Sequence, residues 1–440
     1  MVREIIQVQL GQGGNQLGNL FWEIICKEHT LTESGTLTST QQQNNAIEIY
    51  FRESEKKTTT TANQYIPRSI LIDTDPGIND VIKTSPTGRI FDLDNFVSGT
   101  AGTRNNWARG YHDEGKRIIG ECEDVIRKEA ELCDCLQGFQ VIRSLGGGTG
   151  SGLGSLLNHA FYDYHKTIIY YSIFPSAKVS PINTEQINAI LSICSLIESD
   201  GCFVIDNSAL YNISRNVLQQ SQPRYKDLNW ISSLAMSGIT SPLRLYNPSI
   251  SNLPKMILNL VPFPRITFFS IGQSPLFLPG EGTKLDLTFK QMTNQVWSSQ
   301  NLITNINHAD GKCLGANLIY RGNNIKSVND NYDNCDNFNS NLSDMFVNWI
   351  PDNINTFVVP ISPNNTPFTT TCVSNTTAIT CVLQRTLSAF RRMSQQNTFL
   401  HSYKSEGVDN NDFIDADRFL ADLITSYQDK QDVVVEPSEN

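Results

Sequence analysis

The chain has 440 residues, 39% of them hydrophobic and 18% charged, enough for two or three domains at roughly 150 residues each and for a large core. Its 34 basic and 44 acidic side chains leave a net charge of −10, which argues against a generic binder of nucleic acid or of an anionic membrane, since such binders lean basic. There is no run of about 18 apolar residues and no apolar core or cleavage site typical of a secretory signal. The expectation is a soluble cytosolic protein whose ten cysteines are reduced thiols. Cys133 and Cys135 have no second Cys or His pair beside them and make a poor zinc site.

In chain order, Glu4 to Leu10 reads as a strand, and residues 12–29 as a helix with Leu17, Leu20, Phe21, Ile24 and Ile25 on one face. Residues 30–64, rich in Thr, Gln, Asn and Ser, read as a long surface loop with one short strand at 47–51. Ser69 to Thr74 is a strand that ends at Asp75-Pro76-Gly77, a turn signal. Residues 115–133 form a helix with Ile118, Ile119, Cys122, Val125 and Ile126 inward, and Gln140 to Leu145 a strand. Leu153 to His165 reads as a helix carrying Leu156, Leu157, Ala160, Phe161 and Tyr164, followed by strands at 167–174 and 202–206. This alternation predicts an α/β fold with a parallel sheet covered by helices on both faces. Ligands in such sheets sit at the carboxyl ends of the strands. The middle of the chain mixes helices with strands at 266–271, 313–320 and 355–360 and loops at 273–287 and 328–341. Two amphipathic helices follow, at 377–393 and 411–427, the second with Phe413, Phe419, Leu420, Leu423, Ile424 and Tyr427 inward.

The sharpest local signal is Gly146-Gly147-Gly148-Thr149-Gly150-Ser151-Gly152, between a strand and a helix. Glycines let the backbone approach a ligand closely. Free N–H groups and the dipole at a helix start make an anion site, the dipole being worth about 0.3–2 kcal/mol. The Thr and Ser hydroxyls are further donors to phosphate. No Gly-Lys-Ser/Thr ends the loop, so it is not a Walker loop, nor does it follow the first strand as a Rossmann fingerprint does. The first turn, Gly11-Gln12-Gly13-Gly14-Asn15-Gln16, is also glycine-rich. Two such turns on one sheet edge predict one ligand bridging them.

The heptapeptide GGGTGSG closely resembles the signature loop of tubulins. So do MVREIIQVQLGQGGNQLGNLFWE at the start, PRSILIDTDPG at 67–77, NNWARGYHDEG at 105–115 and RKEAELCDCLQGFQ at 127–140. VIDNSALYNI at 204–213, LVPFPRITFF at 260–269 and TAITCVLQR at 377–385 extend the match in order along nearly the whole chain. DCLQGFQ, LVPFPR and Lys255 make it closer to the β than to the α type. The resemblance implies a GTP-binding domain at 1–207, an α/β intermediate domain at 208–374, a C-terminal helical hairpin at 375–427 and a short polar tail at 428–440.

It also implies GTP or GDP with Mg²⁺. Gln12, Ser144, Gly148, Thr149 and Gly150 would hold the phosphates, and Asn105 the terminal one. Asp75 would face the magnesium through water. Glu185 would reach the ribose, Asn207 and Asn229 would read the guanine edge, and Tyr225 would stack on the base. The implied partners are α-tubulin in a heterodimer with longitudinal polymer contacts, other tubulin subunits laterally, and microtubule-associated proteins, in the cytoplasmic cytoskeleton. In the family the site is split between stacked subunits. An α-type Glu positions the attacking water on its neighbour's GTP, whereas a β-type Lys grips phosphate and is no such base. Lys255 falls at that position, so this chain supplies no catalytic residue in cis, and its own GTP is hydrolysed when an α-type acid docks.

Several positions depart from the family. Asp75 is one methylene shorter than the usual Glu, Pro181 replaces an acid near the ribose, Asn252 replaces an Asp, and Gly13 replaces a Cys. Thr103-Arg104 replaces a small Ala-Gly pair beside the phosphates, and Arg104 either adds a charge-assisted phosphate contact or points to solvent. The loop Ser274 to Thr288, which would lock filaments side by side, lacks its usual aromatic key. The tail after Tyr427 has four acids and one Lys. These changes keep an alternative open: a non-polymerising GTP-binding regulator that caps or sequesters α-tubulin. A metabolic dinucleotide enzyme would need an acid after the second strand of a Rossmann unit and a catalytic constellation. The six histidines (29, 112, 159, 165, 308 and 401) have no clear Ser/Asp partners and read as structural.

Overall fold

The computed structural model describes residues 3–38, 46–54, 63–176, 179–180, 182–245, 252–279, 288–322, 343–361 and 366–431. Pro181, the loop at 328–341, the lateral-loop residues 280–287 and the tail from 432 lie outside them.

Strand β1, Glu4–Leu10, is buried along its whole length, as a strand covered on both faces must be. Ile6, Val8 and Leu10 face one apolar core and Ile5 the other, the period-two alternation of a strand. The remaining strands are β2 Phe51–Glu53, β3 Tyr65–Pro67, β4 Ser69–Asp73, β5 Phe96–Ser98, β6 Leu136–Ser144, β7 Thr167–Phe174, β8 Gly201–Asp206, β9 Phe268–Ser274, β10 Cys313–Gly322, β11 Ile354–Val359 and β12 Phe368–Thr376. Ten of them form one sheet in the order β11-β10-β12-β9-β8-β7-β6-β1-β4-β5, while β2 and β3 make a small separate ribbon. From β5 to β9 every pairing is parallel; β12 then pairs antiparallel with both β9 and β10. The α/β architecture expected from the sequence is therefore present, with a mixed extension.

The helix α1, Gly11–Glu28, buries Leu17, Leu20, Phe21, Ile24 and Ile25, the face that its periodicity predicts. Helix α2, Pro76–Thr84, starts where the sequence reading placed a turn: Asp75 caps it by accepting from the Gly77 N–H, and Pro76 fills the first helical position, where its missing N–H costs nothing. Helix α3, Glu114–Glu131, buries Ile118, Cys122, Val125 and Ile126.

The structure corrects the expected elements at several points. The helix expected over Leu153 to His165 is broken into a π-helical turn Thr149–Leu153 and two short pieces, Gly154–Leu156 and Asn158–Tyr162. Residues 47–49 are a 3₁₀ turn ahead of β2, not a strand. Gln273 and Ser274, expected in a loop, end β9. Helix Glu185–Leu196 and strand β12 were not anticipated. The C-terminal helices span Thr380–Gln395 and Asn410–Gln431 and join the core that covers one sheet face. Phe419 is only half-buried there, and Ala416 takes an inward place.

A buried ionic cluster pins the end of α1 to the opposite half of the molecule. The Glu28 carboxylate accepts from Arg244, on helix Tyr225–Arg244, and from Arg321 of β10 at 3.0 Å; Ser237 Oγ donates to it at 2.8 Å. Burial pushes the Glu28 carboxyl up, but the charges of Arg244 and Arg321 outweigh it and bring the pKa down to about 2. Removing the carboxylate strands two buried guanidinium groups, a loss of about 3–5 kcal/mol. Glu28→Gln is thus expected to lower the chemical-denaturation midpoint markedly at pH 7. Because the folded-state pKa is depressed, the carboxylate's contribution is full above pH 4.5 and fades as pH falls toward about 2. The gap between wild type and Glu28→Gln should narrow over that window; a gap constant with pH contradicts this assignment.

Candidate functional site

The sheet order reverses direction at β1, whose neighbours are β4 on one side and β6 on the other. A crevice opens at such a switch point, outside the carboxyl ends of the strands. Both glycine-rich turns start there, one after β1 and one after β6. Gly11 has φ +70°, and a Cβ on it would lie 3.0 Å from the Gly150 nitrogen. The two turns are thus in backbone contact.

The glycines of the second turn serve close packing more than freedom of φ. A Cβ on Gly148 would stand 2.4 Å from Thr103 Oγ1 and 2.7 Å from the Asn106 backbone; one on Gly152 would stand 2.2 Å from the Trp107 carbonyl oxygen. Gly110, on a π-helical turn Arg109–Asp113, approaches the Gly148 carbonyl equally closely. Gly147 is different: a Cβ there would meet nothing within 4 Å. The bend therefore packs its other faces against the protein and leaves Gly147 facing open space, as a cradle for an anion requires.

Hydroxyls lock this arrangement. Thr149 Oγ1 is 2.6 Å from Thr74 Oγ1 and 3.3 Å from Thr103 Oγ1, so one side chain ties the ends of β4, β6 and the 103–106 turn together. Ser151 Oγ donates back to the Gly147 carbonyl. The Thr and Ser hydroxyls of the bend, expected to donate to phosphate, are thus engaged within the chain, which leaves backbone N–H groups as the donors that such a turn can offer an anion. Thr103, a departure from the family pattern, is absorbed by its contact with Thr149.

Asn188, on the apolar helix Glu185–Leu196, is the residue that sequence reasoning missed. It is wholly buried. Its Nδ2 donates to the carbonyls of Asn105 at 2.8 Å and Gly146 at 2.7 Å. Its Oδ1 accepts from the Trp107 N–H at 2.9 Å and from Tyr403 Oη at 2.6 Å. One amide thereby holds the glycine bend, the 103–107 segment and the C-terminal region in register. The available signal was a polar residue inside the run Ile187 to Ile193. Beneath the bend, the buried Arg143 guanidinium lies 4.7 Å from the Tyr170 ring and donates to Ser195 Oγ at 3.1 Å; burial lowers its pKa.

The other residues singled out by sequence lie at or after the carboxyl ends of β1, β4, β5, β6 and β8, or on the helices Glu185–Leu196 and Tyr225–Arg244. Gln12 is exposed in the first turn of α1, Ser144 ends β6, and Asn105 is exposed on the 103–106 turn with φ +54°. The Asp75 carboxylate uses Oδ1 to cap α2 at 2.9 Å, and Gly102 packs near Oδ2. Beside it, burial pushes the Asp73 carboxyl up to about 6, against the pull of the Asp75 and Thr74 N–H groups. A buried carboxyl held in this way gains from a nearby cation. Glu185 accepts from Ser180 Oγ at 2.7 Å and abuts Gly146; burial raises its pKa. Asn207 opens a helix directly after β8. Tyr225 is 55% exposed, and its pKa is raised by partial burial and then by the Glu185 charge. Asn229 follows Tyr225 by one turn on the same helix, so the two share a face.

A family model of the Tubulin/FtsZ family, GTPase domain, matches residues 4–215, and one of the Tubulin C-terminal domain matches residues 264–388. The chain belongs to the tubulin family. It is 41% identical over 440 residues to the tubulin beta-8 chain of Oryza sativa subsp. japonica, covering 99% of this chain and 97% of that protein. It is 40% identical to the tubulin beta chain of Cicer arietinum over 442 residues, covering 99% and 96%. A tubulin beta-6 chain of Gossypium hirsutum is 40% identical over 445 residues, covering 100% and 97%. This is a divergent β-tubulin-like chain. The GTPase-domain match spans every strand and turn that meets at the β1/β6 switch point, and it implies a guanine nucleotide in this tubulin. Among the described residues no helix is long and apolar enough to cross a membrane.

Truncating the hub tests the packing. Asn188→Leu removes four hydrogen bonds and orphans buried partners at about 1–3 kcal/mol each. Amide exchange should quicken over 103–107 and 146–150 far more than over α1. Equal protection of all three segments would contradict the assignment.

Proposed function

We propose that the chain is a β-type microtubule subunit that binds GTP or GDP with Mg²⁺ and pairs with α-tubulin. The observation that carries this reading is the meeting of the two glycine turns at the strand switch point, on segments spanned by the GTPase-domain match. In this reading Gln12, Ser144 and the backbone of Gly148, Thr149 and Gly150 take the phosphates, and Asn105 meets the terminal one. Asp75, with Oδ1 spent on the helix cap, presents Oδ2 toward magnesium-bound water, a hard oxygen donor for a hard cation. A bound magnesium ion supplies charge neutralisation between the phosphates. Glu185 takes the ribose. Asn207 and Asn229 read guanine through amides that both donate and accept, and Tyr225 stacks on the base.

The domain division at 1–207, 208–374 and 375–427, with a tail at 428–440, follows the same reading. So do lateral contacts with other tubulin subunits, association with microtubule-associated proteins and a place in the cytoplasmic cytoskeleton.

Lys255 lies exposed on the short helix Leu253–Leu258, whose start is capped by Asn252 Oδ1 accepting the Lys255 N–H at 2.8 Å. Asn caps as well as the Asp it replaces, so that departure is neutral. An ammonium at this position binds phosphate but cannot accept a proton from water. The chain then leaves its neighbour's nucleotide intact, and its own GTP awaits an acid supplied in trans by the next α-type subunit. In co-polymers with α-tubulin, Lys255→Glu should switch on hydrolysis of the α-bound nucleotide. Polymers of the variant that keep that nucleotide unhydrolysed would refute the split-site reading. Electron microscopy of the same mixtures separates a lattice subunit, which gives filaments, from a capping regulator, which gives only short complexes.

A further inference from the structure

The turn Thr103–Asn106 closes with the Asn106 N–H donating to the Thr103 carbonyl at 3.1 Å. Both central residues, Arg104 and Asn105, have positive φ, 50° and 54°. Two consecutive left-handed residues suit Gly and Asn, and a long side chain at the first of them is disfavoured. Such a conformation persists only where its surroundings over-determine it. Here they do: Thr103 is tied to Thr149, Asn106 packs on Gly148, and Asn188 holds the Asn105 carbonyl. The clamp leaves the Arg104 side chain exposed at the tip.

The surrounding charge matters. Asp73 and Asp75 sit at the end of β4, and Glu185 on the far side. Arg385, beside Asn207, is paired with Asp206 at 2.8 Å, whereas among the described residues no carboxylate pairs with Arg104 within 4.0 Å. The sheet order sets the direction. The proposed base readers Asn207 and Tyr225 follow β8, whereas the Arg104 turn follows β5, at the opposite end beyond β1 and β4. A nucleotide laid along this edge with its base at β8 has its last phosphate nearest Arg104.

We propose that Arg104 is a triphosphate-selecting residue, whose guanidinium binds the terminal phosphate in cis. This rests on the nucleotide reading above and deepens it. Arg suits the task because its planar fork donates two parallel hydrogen bonds to phosphate oxygens. GTP has that group and GDP lacks it, so the contact discriminates between them. It also accounts for a strained arginine where glycine would relax the turn.

The test uses the full-length chain and measures equilibrium affinities for GTP and GDP in wild type, Arg104→Gly and Arg104→Lys. Glycine relaxes the turn, so the Gly variant should melt no lower than wild type. Its GTP affinity should fall about tenfold or more while GDP affinity changes little. Lysine, which keeps the charge but not the fork, should recover part of the ratio. Wild-type binding of GTP with an unchanged GTP-to-GDP ratio in Arg104→Gly overturns the inference and leaves the nucleotide site standing. An altered assembly with unchanged affinities also overturns it, since the guanidinium would then serve a subunit contact. Wild type that binds neither nucleotide refutes the site reading itself, and the inference with it.

Discussion

Backbone-to-backbone contact between the bend Gly146 to Gly152 and the segment Thr103 to Gly110 is the constraint on which the site depends. Three glycines, at 110, 148 and 152, meet there at distances that no Cβ tolerates. The contact forces the helix after β6 into a π-helical turn facing a second π-helical turn at Arg109–Asp113. Widened turns of this kind recur at functional sites because they re-aim backbone groups. With its flanks packed, the bend has one free direction, the open space before Gly147.

The same constraint links the crevice to the far end of the chain. Tyr403 reaches Asn188 from the C-terminal region, and Asn106 Nδ2 donates to the Ser402 carbonyl at 3.0 Å. On the other flank, Arg385 pairs with the buried Asp206 at 2.8 Å, and the Asp206 carboxylate caps the helix that begins with Asn207. The C-terminal region therefore buttresses both the 103–107 segment beside the glycine bend and the helix start at Asn207.

How much of this was legible in the sequence depended on whether a feature is local. Strand β1 and helix α1 announced themselves because period and burial agree over many residues. The glycine bend was equally plain. Strand β12 escaped because Phe368–Thr376 is Thr-rich and reads as polar, although its β-branched residues suit a buried strand. Helix α2 escaped because Asp75-Pro76-Gly77 is both a turn signal and a helix start, and only the Asp75 cap decides between them. The broken helix after the bend reflects tertiary contact overriding an apolar period. The candidate residues were legible as a set only through the family resemblance. What joins them was not legible: the Thr74–Thr149–Thr103 chain and the Asn188 hub bridge residues 42 to 215 positions apart. Arg104 stood out as a misfit, but its left-handed backbone is visible only in the fold.

Close glycine packing shapes the proposed nucleotide cradle, and Gly148→Ala disturbs that packing and little else. The added methyl would collide with Thr103 Oγ1 and the Asn106 backbone at 2.4 and 2.7 Å, displacing the 103–106 turn while leaving both cores untouched. Equilibrium binding of GTP to the full-length variant should fall by more than about tenfold with an unchanged far-ultraviolet circular dichroism spectrum. Wild-type affinity in that variant would contradict the account.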